Sequence, residues 1–172
     1  MHRLDRTTSG VMLVAKTQDA YTHLKKEFKE RRVEKTYRAI VYGHMEAGAG
    51  SVVAEICRSS EPPKFWYAES CSQENPRAAI TDWRVLSRGV DSTSGEKYTT
   101  LSITPKTGRT HQIRVHMAFI GHPLIADHLY GKNLVSILGF TRPALHAESI
   151  SVVMPSGQRE TWTAPIPQDF TP

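Results

Sequence analysis

The chain is poor in cysteine, in long apolar stretches and in repetition. Its two cysteines, Cys57 and Cys71, are too few for a disulfide scaffold and fall in no metal-binding or redox spacing. A reduced, cytoplasmic compartment is therefore the default expectation. No apolar run approaches the length that crosses a bilayer, and nothing at the start reads as a signal peptide. No internal repeat or low-complexity tract is present, which excludes solenoids and tails of one composition. Net charge is modest: Lys plus Arg exceed Asp plus Glu by 22 − 17 = 5, and the pI is near 9.3. That balance permits contact with a polyanion without requiring it. A length of 172 residues is one domain's worth, enough to bury a real core.

What is there is concentrated in two segments. The first is Met1-His2-Arg3-Leu4-Asp5-Arg6-Thr7-Thr8-Ser9-Gly10, where one carboxylate stands among basic residues and leads into an aliphatic run at 11–15. Cations beside an acid favour its charged form, the form that a nucleophile or an anion anchor needs. Taken alone this is an ordinary surface ion-pair cluster. The second segment, a hundred residues on, is Thr107-Gly108-Arg109-Thr110-His111-Gln112-Ile113-Arg114-Val115-His116.

Element by element, residues 11–15 read as a short strand buried on both faces. Thr17 is placed to cap a helix whose apolar residues Tyr21, Leu24 and Phe28 recur at helical spacing. Lys25, Lys26, Lys29, Arg31 and Arg32 at its end form either a solvated face or a phosphate-contacting strip. Residues 35–43 predict a strand with Tyr37, Ala39 and Val41 on one face and Thr36, Arg38, Ile40 and Tyr42 on the other. Residues 45–75 read as loops and short edge strands. Residues 80–86 and 98–104 predict two further strands, separated by a turn-rich stretch at 89–95. A helix follows from Thr110, ending at Gly121 with Pro123 just beyond. Residues 149–154 and 158–163 flank Pro155-Ser156-Gly157 as a hairpin. Adjoining strands that outnumber helices imply an α+β domain with a mixed, mostly antiparallel β-sheet and flanking helices. His111 and His116 are five apart, unlike the four-residue spacing of zinc-binding helices, so no metal site is expected.

In that order, the motifs resemble the RluA-type family of RNA pseudouridine synthases. The matching stretches are His2-Arg3-Leu4-Asp5-Arg6 with Thr8-Ser9-Gly10, Glu34-Lys35-Thr36-Tyr37-Arg38-Ala39, Gly108 through His116, Gly121 through Asp127, and Leu145-His146-Ala147. The resemblance implies a pseudouridine synthase core with a central active-site cleft across the sheet. It also implies isomerisation of specific uridines in rRNA, tRNA or both, with structured RNA as the partner and no obligate protein partner. Asp5 matches the family nucleophile, Arg114 the arginine that pairs with it, and Tyr37 the tyrosine that lies against the flipped uracil. Without the resemblance Tyr37 would be a core aromatic and Arg114 a surface arginine. Arg3 matches the residue that displaces or replaces the extruded nucleotide. His2, Arg6, Thr8, Arg109, His111, Gln112 and Ile113 complete the expected substrate-binding set, with Ile113 as an apolar wall opposite Tyr37 and Arg109 as a phosphate or backbone contact. Asp127 is expected to fix the loop after the helix. No cofactor is expected, because the reaction has no redox change and consumes nothing.

Two departures from the family pattern carry expectations. Ala126 stands where relatives carry glycine, so a positive φ there would add strain on the order of 1 kcal/mol. Relatives also have several dozen residues, including a strand, before the His-Arg-Leu-Asp motif. The expectation is a single catalytic domain over 1–172, N-terminally truncated, without a separate RNA-binding domain and with a loosened Asp5 loop. The alternative reading is an RNA-binding but catalytically impaired fragment.

Overall fold

A computed structural model describes residues 2–59, 66–68 and 78–170. Within them the elements run β1 (Ser9–Gly10), α1 (Gln18–Lys29), β2 (Glu34–Tyr42), β3 (Ala49–Arg58), β4 (Trp66–Ala68), β5 (Ala78–Val90), β6 (Lys97–Pro105), α2 (Gln112–Phe119), β7 (Leu145–Val153), β8 (Arg159–Thr163) and a 3-10 turn at Gln168–Phe170. The strands form one sheet in the order β1-β7-β2-β6-β5-β3-β4, with β8 also on β7. β1 lies parallel to β7 and the other pairings are antiparallel. This is the mixed, mostly antiparallel α+β sheet that the sequence predicts. No helix is long and apolar enough to cross a membrane among the described residues.

Strand β2 lies inside the sheet between β7 and β6, and its alternation feeds two cores. Ala39 and Val41, with Tyr37 beside them, pack with Leu101, Ile103, Ile113 and Met117, which brings α2 onto one face. Ile40 and Tyr42 turn to the other face, against Ile125, Phe140, Ala144 and Phe170. The segment after α2 is sewn to β2 by backbone bonds: Ile125 N–H donates to Ile40, Ile40 to Ala144, and Tyr42 to Pro123. It therefore follows a fixed path although it holds no long element. Thr17 caps α1 as expected, its Oγ1 accepting from Ala20 N–H at 3.2 Å.

Four expectations need correction. Residues 11–15 are not a doubly buried strand. Strand pairing ends at Gly10, and beyond it Met12 and Val14 face solvent at 50% and 72% exposure, while Val11, Leu13 and Ala15 pack on Leu24, Val33, Ile150 and Val152. The run is continuous in composition but alternating in burial, because only one of its sides meets α1 and β7. Tyr21 is exposed, and the inward place is taken by Leu24 and by Glu27, which pairs with Arg32. Residues 45–75 are not all loops and short strands, since β3 is ten residues long and pairs with both β5 and β4. Residues 60–65 and 69–75 of that stretch, Cys71 among them, lie outside the described residues. Finally β5 runs to Val90, into the stretch read as a turn, and the reversal is made by Asp91, whose carboxylate accepts from Ser94 N–H and Oγ–H.

Candidate active site

The beginning of the chain meets the start of α2 at a cavity of about 460 Å³. One wall is the turn that carries Asp5, closed by a bond from Thr8 N–H to the Asp5 carbonyl at 3.0 Å. That turn is anchored by β1: Ser9 and Gly10 pair with His146 and Ala147, and Ser9 Oγ is hydrogen-bonded to His146 Nδ1 at 2.9 Å. The approach is so close that a Cβ on Gly10, whose φ is +119°, would sit 2.2 Å from the Ala147 carbonyl oxygen. Only glycine fits there. The opposite walls are β2, through Lys35 and Tyr37, and the stretch from Pro105 to Arg114.

Arg114 organises the charges. Its Nε and Nη2 donate to Asp127 at 2.7 and 2.8 Å, a two-pronged grip on a carboxylate that is wholly buried. Its Nη1 is left 3.6 Å from Asp5 Oδ2. The expected pairing of Arg114 with Asp5 is thus present but secondary, because the stronger partner is Asp127. That residue also accepts from Leu129 and Tyr130 N–H, so it fixes the loop as expected and fixes Arg114 as well. His111 approaches Asp5 from the other side, Nε2 to Oδ1 at 4.0 Å, and its Nδ1 is hydrogen-bonded to the Tyr130 hydroxyl at 2.8 Å. The Tyr130 ring in turn lies under the Arg114 guanidinium at 5.0 Å. Tyr130 was not among the residues singled out from sequence. A lone tyrosine in a loop gives no signal until the fold brings it beneath Arg114.

Burial sets the protonation of the surrounding groups. The Tyr37 phenol is pushed up to about 12, first by burial and then by the negative charge of Asp5. Burial likewise carries Tyr130 to about 12 and lowers His111 despite the pull of Asp5. His116, on the inner face of α2 and without solvent contact, is lowered to about 4 by burial. It is a core histidine on a different side of the helix start from His111. No group of three or more His, Cys, Asp or Glu that could hold a metal is found among the described residues.

The other expected residues divide by what they touch. His2 lines the cavity while stacking on Phe28 at 4.7 Å and accepting from Leu13 N–H at 3.0 Å. Arg3 and Thr8 line it directly, as do Arg109, His111 and Ile113. Gln112 lines it too, but its amide is occupied: Oε1 accepts from Thr107 Oγ1–H and Arg109 N–H, and Nε2 donates to Ile80 and Thr81. Arg6 is exposed and is not among the lining residues. Of the basic strip, Lys29 and Arg31 reach the cavity, whereas Arg32 is held by Glu27 and Glu30. Ala126 has φ +56°, the strained left-handed backbone expected from the missing glycine.

The cavity thus sets one carboxylate, Asp5, 3.6 Å from Arg114 and is lined also by Tyr37 and several basic side chains, on a mixed sheet. The model of the RNA pseudouridylate synthase family matches residues 1–119, and the chain belongs to that family. It is 38% identical over 182 residues to ribosomal large subunit pseudouridine synthase D of Escherichia coli strain K12, covering 99% of this chain and 52% of that protein. The synthase of the same name from Blochmanniella floridana is 37% identical over 184 residues, with 99% and 54% covered. The chain thus spans about half the length of the curated relatives it matches. Among solved structures, human RNA pseudouridylate synthase domain containing 1 superposes with a TM-score of 0.85 at 32% identity, over 96% of this chain and 68% of that one. Human RNA pseudouridylate synthase domain containing 4, at 24% identity, shares the fold with a TM-score of 0.77 over 99% and 72%.

Proposed function

We propose that residues 1–172 form the catalytic domain of an RNA pseudouridine synthase that isomerises specific uridines in structured rRNA, tRNA or both, in the cytoplasm. The observation that carries the reading is the convergence of Asp5, Tyr37 and Arg114 on one basic cavity. In the reaction the bond from uracil N1 to ribose C1′ breaks, the base turns, and C5 bonds to C1′. C5 loses a proton and N1 gains one, so the atoms balance without a co-reactant. Asp5 attacks the base or sugar, or removes a sugar proton, and Arg114 holds its carboxylate in place. Asp127 and Tyr130 hold Arg114.

The Tyr37 ring stacks on the extruded uracil. Its phenol keeps its proton in the free protein partly because Asp5 is charged. Once Asp5 has reacted, that charge is gone and the smaller of the two causes that raise the phenol is lifted, while burial, the larger, remains. Arg3 fills the gap left by the flipped nucleotide, His2 and Thr8 shape the Asp5 turn, and Ile113 faces Tyr37 across the cavity. Gln112 positions the Thr107–Arg109 segment through its buried amide.

Release of tritium from RNA labelled at uridine C5 tests this, with bulk tRNA and protein-free rRNA as substrates and Asp5→Ala as the control. Release that vanishes in the control supports the reading. A folded chain that binds RNA but releases nothing would sink the claim of catalysis and leave an RNA-binding domain.

A further inference from the structure

The cavity holds more positive charge than the reaction uses. Arg114 is committed to Asp127 and Asp5, and Lys106 faces Asp82 at 3.4 Å. Lys35 and Arg109 also line the cavity and have no such partner among the described residues. Lys35 is half-buried, and burial alone lowers its pKa. Its near neighbour is Gly108, where a Cβ would sit 3.7 Å from Nζ. On the next residue, Arg109 Nε is buried without a hydrogen-bond partner. Asp5 is the one carboxylate among the lining residues, and it already faces Arg114 and His111.

Leaving a half-buried cation unpaired beside a buried guanidinium N–H without a partner is costly unless a ligand completes them. The missing partner is an anion small enough to enter beside Gly108, which has no side chain to block it. Lys35 is two residues from Tyr37 on β2, about 7 Å along the strand, so the anion would lie next to whatever stacks on Tyr37.

We infer that Lys35, Arg109 and the open backbone at Gly108 form a phosphodiester-binding subsite that seats the RNA backbone beside the flipped uridine. This inference rests on the RNA reading above and names which residues hold the strand. The subsite divides the work: Tyr37 takes the base, and Lys35 with Arg109 takes a backbone phosphate next to it.

The test is a salt titration of tRNA binding to the full chain and to Lys35→Met and Lys35→Arg. Removing one phosphate contact should weaken binding about tenfold at moderate salt. It should also make the slope of log K against log salt shallower by about 0.7–0.9. Lys35→Arg should restore both. Lys35→Met should melt no lower than the parent, since it removes a half-buried charge that pairs with no carboxylate among the described residues. As a second readout, amine acetylation followed by peptide mass spectrometry should show Lys35 protected by tRNA, with the exposed Lys97 as internal reference. An unchanged slope in Lys35→Met overturns the subsite, as does a slope unchanged alongside a lowered melting point, which would mark a structural role. Equal acetylation with and without bound tRNA overturns it too. If the parent chain binds neither tRNA nor protein-free rRNA, the RNA reading itself falls, and the subsite with it.

Discussion

At the scale of single residues, Arg114 is shared between two carboxylates of unequal claim. Asp127 holds two of its nitrogens in a buried fork, and Asp5 meets the third at longer range. Removing the deeper partner should therefore do more structural harm than removing the nearer-to-chemistry one. Asp127→Ala strands a buried guanidinium and should cost about 3–5 kcal/mol in urea unfolding. Asp5→Ala should change stability little while abolishing tritium release. The two variants separate holding the site together from using it. Tyr37 offers a sharper check, because the Asp5 charge helps keep its proton. Asp5→Asn should move the Tyr37 phenolate transition down from about 12 in an ultraviolet titration, and a transition left in place would show that the two groups do not communicate. Much of this site was legible in the sequence, since Asp5, Tyr37 and Arg114 lie in contiguous motifs. Tyr130 was not, because its importance lies in what it meets across the fold, His111 and Arg114.

At the scale of elements, the shortest strand carries the heaviest responsibility. β1 is two residues long, yet it fixes the turn that presents Asp5. Gly10→Ala forces a Cβ onto the Ala147 carbonyl at a φ of +119°. The expected loss is about 2–5 kcal/mol in chemical denaturation, with activity falling further than stability as the Asp5 turn detaches. Ala126 presents the converse case: with φ +56°, Ala126→Gly should gain up to about 1 kcal/mol in the same measurement. The sequence predicted β2, α1, α2 and the final hairpin well, because each is bounded or paced by local signals: alternation in β2, the Thr17 cap of α1, Gly121 and Pro123 after α2, and Pro155-Ser156-Gly157 at the hairpin turn. It misplaced residues 11–15 because an aliphatic run reports composition, while burial depends on which neighbour arrives. There β8 occupies the edge of β7 beyond β1, so the run has no strand to pair with. β3 was hidden by Gly48, Gly50 and Ser51 near its start, which dilute the strand pattern. Gly50 is in fact needed there, since a Cβ would sit 2.6 Å from the Trp83 ring.

At the scale of the whole molecule, burial of histidine sets the response to acid. His2, His111, His116 and His146 all have pKa values lowered chiefly by burial, so each is neutral in the fold and takes up a proton more readily when unfolded. Their contribution to stability is complete above the ordinary value of 6.5 and is lost as pH falls below it, for His116 until about 4. Urea midpoints should therefore decline from pH 7 to pH 4.5, and His116→Phe, if it folds, should flatten part of that decline. The sheet order has a further consequence, in time instead of energy. Ser9 is bonded to His146, 137 residues later, so the Asp5 turn has no anchor until β7 has been made. At a synthesis rate of about 5–20 residues per second, that is roughly 7–27 s after Ser9 is joined to the chain. The proposed nucleophile is built well before the strand that seats it, and a nascent chain stalled before β7 carries the motif without a working site.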